Sequence, residues 1–164
     1  MTLPDSSPEA ASTTFADLQI HPAVLRAIAD VGYESPTAIQ AATIPALMAG
    51  TDVVGLAQTG TGKTAAFAIP ILSKIDVTSK TTQALVLAPT RELALQVAEA
   101  FSRYGAHLPQ INVLPIYGGS SDTVQLAGLR RGAQVVVGTP GRVIDHLERG
   151  TLDLSQVEIG RAHV

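Results

Sequence analysis

A chain of 164 residues with 46% hydrophobic and 15% charged residues is sized for one domain with a buried core. It has no cysteine, which excludes a disulfide framework and thiolate metal sites, and no apolar run long enough to span a bilayer. A formal net charge of −3 argues against a generally basic nucleic-acid binder. The charge is unevenly placed. Arg26 is the one basic residue within residues 1–62, against Asp5, Glu9, Asp17, Asp30, Glu34 and Asp52, so any nucleic-acid contact is expected to be local and to lie later in the chain. His21, His107, His146 and His163 show no metal-ligand spacing. The N-terminus lacks a basic stretch followed by an apolar one, which makes a cytoplasmic protein the expectation.

Residues 1–14, with Pro4, Pro8 and little apolar content, read as a disordered leader. Phe15 begins the ordered part. Pro22 opens a helix that places Val24, Leu25, Ile28 and Ala29 on one side and stops at Gly32. Thr37 is the expected N-cap of a second helix running to Ala49 before Gly50, with a kink expected at Pro45. A strand is predicted over Asp52–Leu56.

The next segment, Ala57-Gln58-Thr59-Gly60-Thr61-Gly62-Lys63-Thr64, lies between that strand and a helix running to Lys74. Strand, glycine-bearing loop ending in Gly-Lys-Thr, then helix is the arrangement of a phosphate-binding P-loop. Glycines let backbone N–H groups turn inward on phosphate oxygens, and the helix adds the positive end of its dipole. Lys63 would reach the β- and γ-phosphates of ATP, and the Thr64 hydroxyl would ligate Mg²⁺. Ala57 departs from the strict pattern, which begins with glycine.

A polar loop over 75–83 precedes the apolar run Ala84–Ala88, which reads as a strand covered on both faces and ended by Pro89. Arg91–Arg103 has helical spacing. A strand over Ile111–Tyr117, a helix over Asp122–Arg131 and a strand over Gln134–Val137 follow. Thr139-Pro140-Gly141-Arg142 is expected to be a turn leading into a helix over Val143–Arg149. Four alternations of strand and helix imply an α/β fold with a parallel sheet and right-handed crossovers, whose ligands sit at the carboxyl ends of the strands.

Taken singly, the loops after these strands have ordinary structural readings. Thr90 can cap a helix and Glu92 can favour its dipole; Gly118-Gly119 and Thr139–Arg142 can simply be turns. Together and in this order they resemble the N-terminal RecA-like domain of the DEAD-box RNA helicases. Gly32–Gln40 resembles that family's Q motif (about residues 13–41), with Phe15 as its upstream aromatic. Ala57–Thr64 resembles motif I, which in this family begins with alanine. Pro89–Ala94 resembles motif Ia, Gly118-Gly119 the GG motif, and Thr139–Arg142 motif Ib. The Tyr-Gly-Gly stretch and Asp145–Leu154 look like the bacterial cold-shock DeaD subgroup.

The resemblance spans about residues 15–157 and implies a P-loop NTPase fold, ATP and Mg²⁺ as cofactors, and RNA as partner. Gln40 would recognise adenine, since a carboxamide can accept from N6 and donate to N7. Phe15 would stack on the base, or else anchor the leader in the core. Ala57, Gln58, Thr59, Gly60, Thr61, Gly62, Lys63 and Thr64 would hold the nucleotide, with Lys63 and Thr64 as the catalytic members. Pro89, Thr90, Arg91, Gly119, Thr139, Gly141 and Arg142 would face the RNA sugar-phosphate backbone, which carries no base information.

Asp-Glu-Ala-Asp occurs nowhere in the chain, nor does Ser-Ala-Thr. In the family the former supplies a Mg²⁺-linked aspartate and the glutamate that positions water. A domain incomplete at its C-terminus, partnered in the parent protein by a second RecA-like domain, is therefore expected, with an edge or face of the sheet left uncovered. The chain alone is expected to bind nucleotide without turnover. Glu158–Val164 also read as a translation of GAG ATC GGA AGA GCA CAC GTC, which looks like a sequencing-adapter oligonucleotide. Residues 158–164 are accordingly expected to be a non-native tail. The alternatives are a nucleotide- or RNA-binding module without turnover, or a P-loop ATPase of another class.

Overall fold

Both faces of the sheet are covered, which is why its strands read as unbroken apolar runs. Ala84, Val86, Val135 and Val137 point into one core with Val24, Ile28, Ile69, Leu72, Val97 and Phe101. Their alternates Leu85 and Val136 point into a second core with Ile116, Val143 and Leu152. The computed structural model describes residues 13–53, 62–119, 121–157 and, for the backbone, 160–163.

In chain order, a 3-10 turn (Phe15–Leu18) precedes α1 (Pro22–Asp30), α2 (Ala38–Met48) and α3 (Lys63–Lys74). Then come β1 (Ala84–Leu87), α4 (Arg91–Tyr104), β2 (Val113–Ile116), α5 (Thr123–Arg131), β3 (Val135–Gly138), α6 (Pro140–Glu148) and β4 (Gly160–His163). The sheet order is β2-β3-β1-β4 and every pairing is parallel. Ala84 stands opposite Val135 on one side and Gly160 on the other, so β1 and β3 are interior strands and β2 is an edge.

Local signals set the helices. Pro22 occupies the first turn of α1, where its missing N–H costs nothing, and His21 Nδ1 accepts from Ala23 N–H at 3.0 Å. Gly32 and Gly50, both at positive φ, lie just beyond α1 and α2. Helix α2 continues through Pro45 and ends against α3, where Lys74 Nζ donates to the Leu47 carbonyl at 2.9 Å.

The amino ends of the strands are closed by polar side chains that satisfy backbone groups. Gln134 accepts from Asn112 N–H at 2.9 Å and donates to Ser79 O at 3.1 Å, while Thr82 donates to Ala133 O at 2.9 Å. Gln83 bonds both the N–H and the C=O of Asp76. With these groups committed to the scaffold, the open polar chemistry of the sheet lies at its carboxyl ends.

Two expectations need correction. Thr139–Arg142 is not a turn ahead of a helix: Thr139 is the N-cap, and Pro140, Gly141 and Arg142 form the first turn of α6. Proline's fixed φ suits the first helical position, so this proline starts the helix and does not delay it. The outer edge of β1 is also not left uncovered, because residues 160–163 pair along it. A ladder needs only the N–H and C=O groups of an exposed edge and places little demand on sequence. The predicted strand over Asp52–Leu56 and the leader lie largely outside the described residues; Asp52 and Val53 are described and are not in a strand.

Candidate functional site

Two clusters of the expected residues form. The first joins the end of the glycine loop to α2. Gly62 has φ +78°, a conformation that suits glycine, and caps α3, whose first two residues are Lys63 and Thr64. Thr37 and Gln40 form a reciprocal capping box at α2: Gln40 Oε1 accepts from Thr37 N–H at 3.0 Å. The Gln40 Nε2 donates to the Gly62 carbonyl at 3.2 Å. These two bonds fix which end of the carboxamide is oxygen, because the flipped amide would oppose N–H to N–H and oxygen to oxygen. A Cβ on Gly62 would stand 2.4 Å from Gln40 Nε2, so the two residues are mutually fitted. Gln40 is 2% exposed.

Lys63 and Thr64 are half-buried at the N-terminus of a 12-residue helix, where unpaired backbone N–H groups and the dipole favour an anion. Ala57, Gln58, Thr59, Gly60 and Thr61 lie outside the described residues. Phe15, expected over the base, is 5% exposed and packs in the main core with Leu18 and Ile20. In this structure its ring anchors the incoming chain and presents little surface to a ligand.

The second cluster lies at the carboxyl ends of β1, β2 and β3. Pro89, Thr90 and Arg91 follow β1 and are exposed; Thr90 Oγ1 caps α4 by accepting from Leu93 N–H at 3.2 Å. Gly119, at φ +84°, is exposed beyond β2 and has open space where a side chain would be. Thr139 makes no capping bond with its side chain, and Gly141 is exposed in the first turn of α6. The Arg142 guanidinium lies beside Gly118 and has its Nε 3.8 Å from Asp145. Its Nη1 is buried without a hydrogen-bond partner among the described residues. The three loops therefore converge, although β2 and β1 are not neighbours in the sheet.

Charge around this end is partly neutralised. Arg149 bonds Asp122 at 2.7 Å and Asp145 at 3.1 Å, tying the start of α5 to the end of α6. The Arg149 hydrogen bond holds the Asp122 carboxyl below its ordinary pKa. His146, on α6, is fully buried; Nδ1 meets Thr151 Oγ1 at 2.8 Å, and Nε2 has no partner among the described residues. Burial, reinforced by the nearby Arg149 cation, pushes its pKa down. No metal-binding group of three or more His, Cys, Asp or Glu exists among the described residues.

Sequence reasoning missed two residues here. Tyr117 carries Arg91 over its ring, with Cζ 4.8 Å from the centroid. Gln125 bonds both the N–H and the C=O of Tyr117. The signals were a tyrosine at a strand exit and a glutamine on the buried side of α5.

The family profile described as DEAD/DEAH box helicase matches residues 37–159. The chain belongs to this family. It is 84% identical over 158 residues to the ATP-dependent RNA helicase DeaD of Mycobacterium tuberculosis, covering 96% of this chain and 28% of that protein. It is 57% identical over 145 residues to DeaD of Escherichia coli K12, covering 88% and 23%. The chain thus spans about a quarter of the length of the curated relatives it matches. Among solved structures it resembles a DEAD box protein from Methanococcus jannaschii, with TM-score 0.82, 40% identity and coverage of 88% of this chain and 39% of that one. It also resembles a Saccharomyces cerevisiae Dbp5 variant bound to RNA and ADP BeF3, with TM-score 0.80, 32% identity and coverage of 89% and 37%. The α/β fold with its parallel sheet is that of the RecA-like domains of DEAD-box proteins.

Proposed function

We propose that the chain is the nucleotide-binding RecA-like part of an ATP-dependent RNA helicase of the DeaD kind, and that it binds ATP with Mg²⁺ and the RNA backbone. The observation that carries this reading is the Gln40–Gly62 contact, since it joins a base-reading carboxamide to the start of the phosphate-binding helix. Gln40 retains one N–H and one oxygen lone pair beyond its two bonds, the pair of functions that the adenine edge requires. Gly62 itself is held against α2 by this bond. Lys63 places a cation beside phosphate oxygens, and the helix N-terminus adds N–H donors. The Thr64 hydroxyl would hold Mg²⁺, which when bound neutralises charge on the phosphates. Ala57, Gln58, Thr59, Gly60 and Thr61 complete the cradle in this reading.

Pro89, Thr90, Arg91, Gly119, Thr139, Gly141 and Arg142 form the proposed RNA face. It offers hydroxyls, backbone amides and two arginines, which suit phosphates and sugars and leave sequence unread. In the parent protein this face would work with a second RecA-like domain to remodel short duplexes.

The chain contains no Asp-Glu-Ala-Asp, and we assign it binding without turnover. Titration with a fluorescent ATP analogue should show saturable Mg²⁺-dependent binding, weakened about tenfold or more by Lys63→Ala. Phosphate release should stay at background with or without RNA. Binding that ignores Lys63→Ala would sink the nucleotide assignment; phosphate release abolished by Lys63→Ala would sink the claim of no turnover.

A further inference from the structure

We propose that Tyr117 is a positioning residue for Arg91, and that Gln125 fixes Tyr117 for that task. The inference rests on the proposed RNA role of Arg91. It starts from the edge position of β2. Ile116 O accepts from Thr139 N–H at 3.0 Å, so the backbone groups of Ile116 face β3. The N–H and C=O of Tyr117 then face away from the sheet, because successive residues of a strand alternate. No strand lies on that side among the described residues. The Gln125 side chain supplies what a neighbouring strand would: Oε1 accepts from Tyr117 N–H at 3.3 Å and Nε2 donates to Tyr117 O at 2.9 Å.

Gln125 is 4% exposed, and an unpaired buried carboxamide would be costly, so this clamp holds the strand exit firmly. The backbone that carries the tyrosine ring is thereby fixed at the carboxyl end of the sheet, and Tyr117, half-buried, stands beside an exposed arginine from another loop. Arg91 lies over its face at 4.8 Å, within range of the attraction between a cation and an aromatic ring. Arginine is otherwise among the side chains with most rotamer freedom to lose on binding. Stacking removes part of that freedom in advance. A guanidinium held over a ring face can still offer N–H groups to phosphate oxygens. Tyr117 thus acts through Arg91 and needs no contact with RNA itself.

The test is a double-mutant cycle on the 164-residue chain, read by anisotropy of a fluorescein-labelled oligouridylate at fixed salt. Arg91→Ala should weaken binding, and Tyr117→Leu should weaken it about two- to fivefold. Tyr117→Phe, which keeps the ring and loses the hydroxyl, should bind as the parent chain does. In the Arg91→Ala background, Tyr117→Leu should have no further effect. Full additivity of the two changes, or a Tyr117→Leu chain that binds normally, overturns the positioning role while leaving the RNA face intact. An Arg91→Ala chain with undiminished affinity overturns the RNA role of Arg91 and the inference with it. A readout without any variant stands beside the cycle. The Arg91 side-chain proton resonances of the parent chain should be shifted upfield by the Tyr117 ring current, and unshifted resonances overturn the stacking.

Discussion

At the scale of single residues, glycine and histidine set the firmest expectations. Gly62 combines positive φ with a carboxamide where a Cβ would go. Gly62→Ala should therefore lower the unfolding free energy by about 1.5–3.5 kcal/mol, from left-handed strain plus the displaced Gln40 bond. Urea unfolding measures this. The matched control is Gly141→Ala, whose Cβ meets nothing within 4 Å and whose backbone has no positive φ. It should leave stability unchanged or slightly raised, since alanine is the better helix former.

His146 sets the second residue-scale prediction. Its pKa is depressed in the fold by burial, first, and then by the Arg149 cation, so the unfolded chain binds the proton more readily than the native one. Between the lowered native value and the unfolded value of about 6.5, stability must rise with pH. The contribution is fully present above about pH 6.5 and is lost as pH falls through the native value. Urea midpoints should drop on acidification over this range, and His146→Gln should flatten that part of the profile. An unchanged slope in the variant would count against the assignment.

At the scale of elements, α6 shows how the site is held. Gly138 ends β3 and lets the helix start close to the sheet: a Cβ there would stand 2.5 Å from Val143 Cγ2 and 2.7 Å from Ile116 Cγ1. Gly138→Ala should cost about 1–3 kcal/mol in urea unfolding, as overpacking does, and should weaken oligouridylate binding because Thr139 and Arg142 move with α6. Helices α2, α4 and α6 each begin at an expected site loop, and each is started by a threonine N-cap. The same residues thus start a helix and edge the proposed ligand surface. That dual use is why their motifs also read as ordinary caps when taken one at a time.

At the scale of the whole molecule, the sheet divides its two ends between scaffold and site. Amides close the amino ends, and loops with unspent polar groups crowd the carboxyl ends. The strand Gly160–His163 lies along β1, an apolar strand at the centre of both cores. A chain ended at Val157 should expose that edge of β1 to other chains. Light scattering should show concentration-dependent association in the shortened chain and less in the 164-residue chain. Amide exchange should be faster in β1 of the shortened chain, read under conditions where it is monomeric.

The sequence by itself determined the alternation of strands and helices from Ala84 to Glu148, the caps at Thr37 and Thr90, the end of α3 at Lys74 and the family. Each of these rests on residues adjacent in the chain, where propensity, proline geometry and motif spacing act directly. It misread Thr139–Arg142 as a turn because Pro-Gly punctuates turns, whereas here the proline takes the first helical position of α6. It left Phe15 with two readings, stacking on a base or anchoring the leader, and the structure packs the ring in the main core. The tertiary structure alone decided that β2 is an edge and that Gln125 takes the place of a missing strand. It also decided that Arg91 reaches Tyr117 across the end of β3. Those relations join residues far apart in the chain, and strand order, which sets them, is fixed by how the two cores close over the sheet.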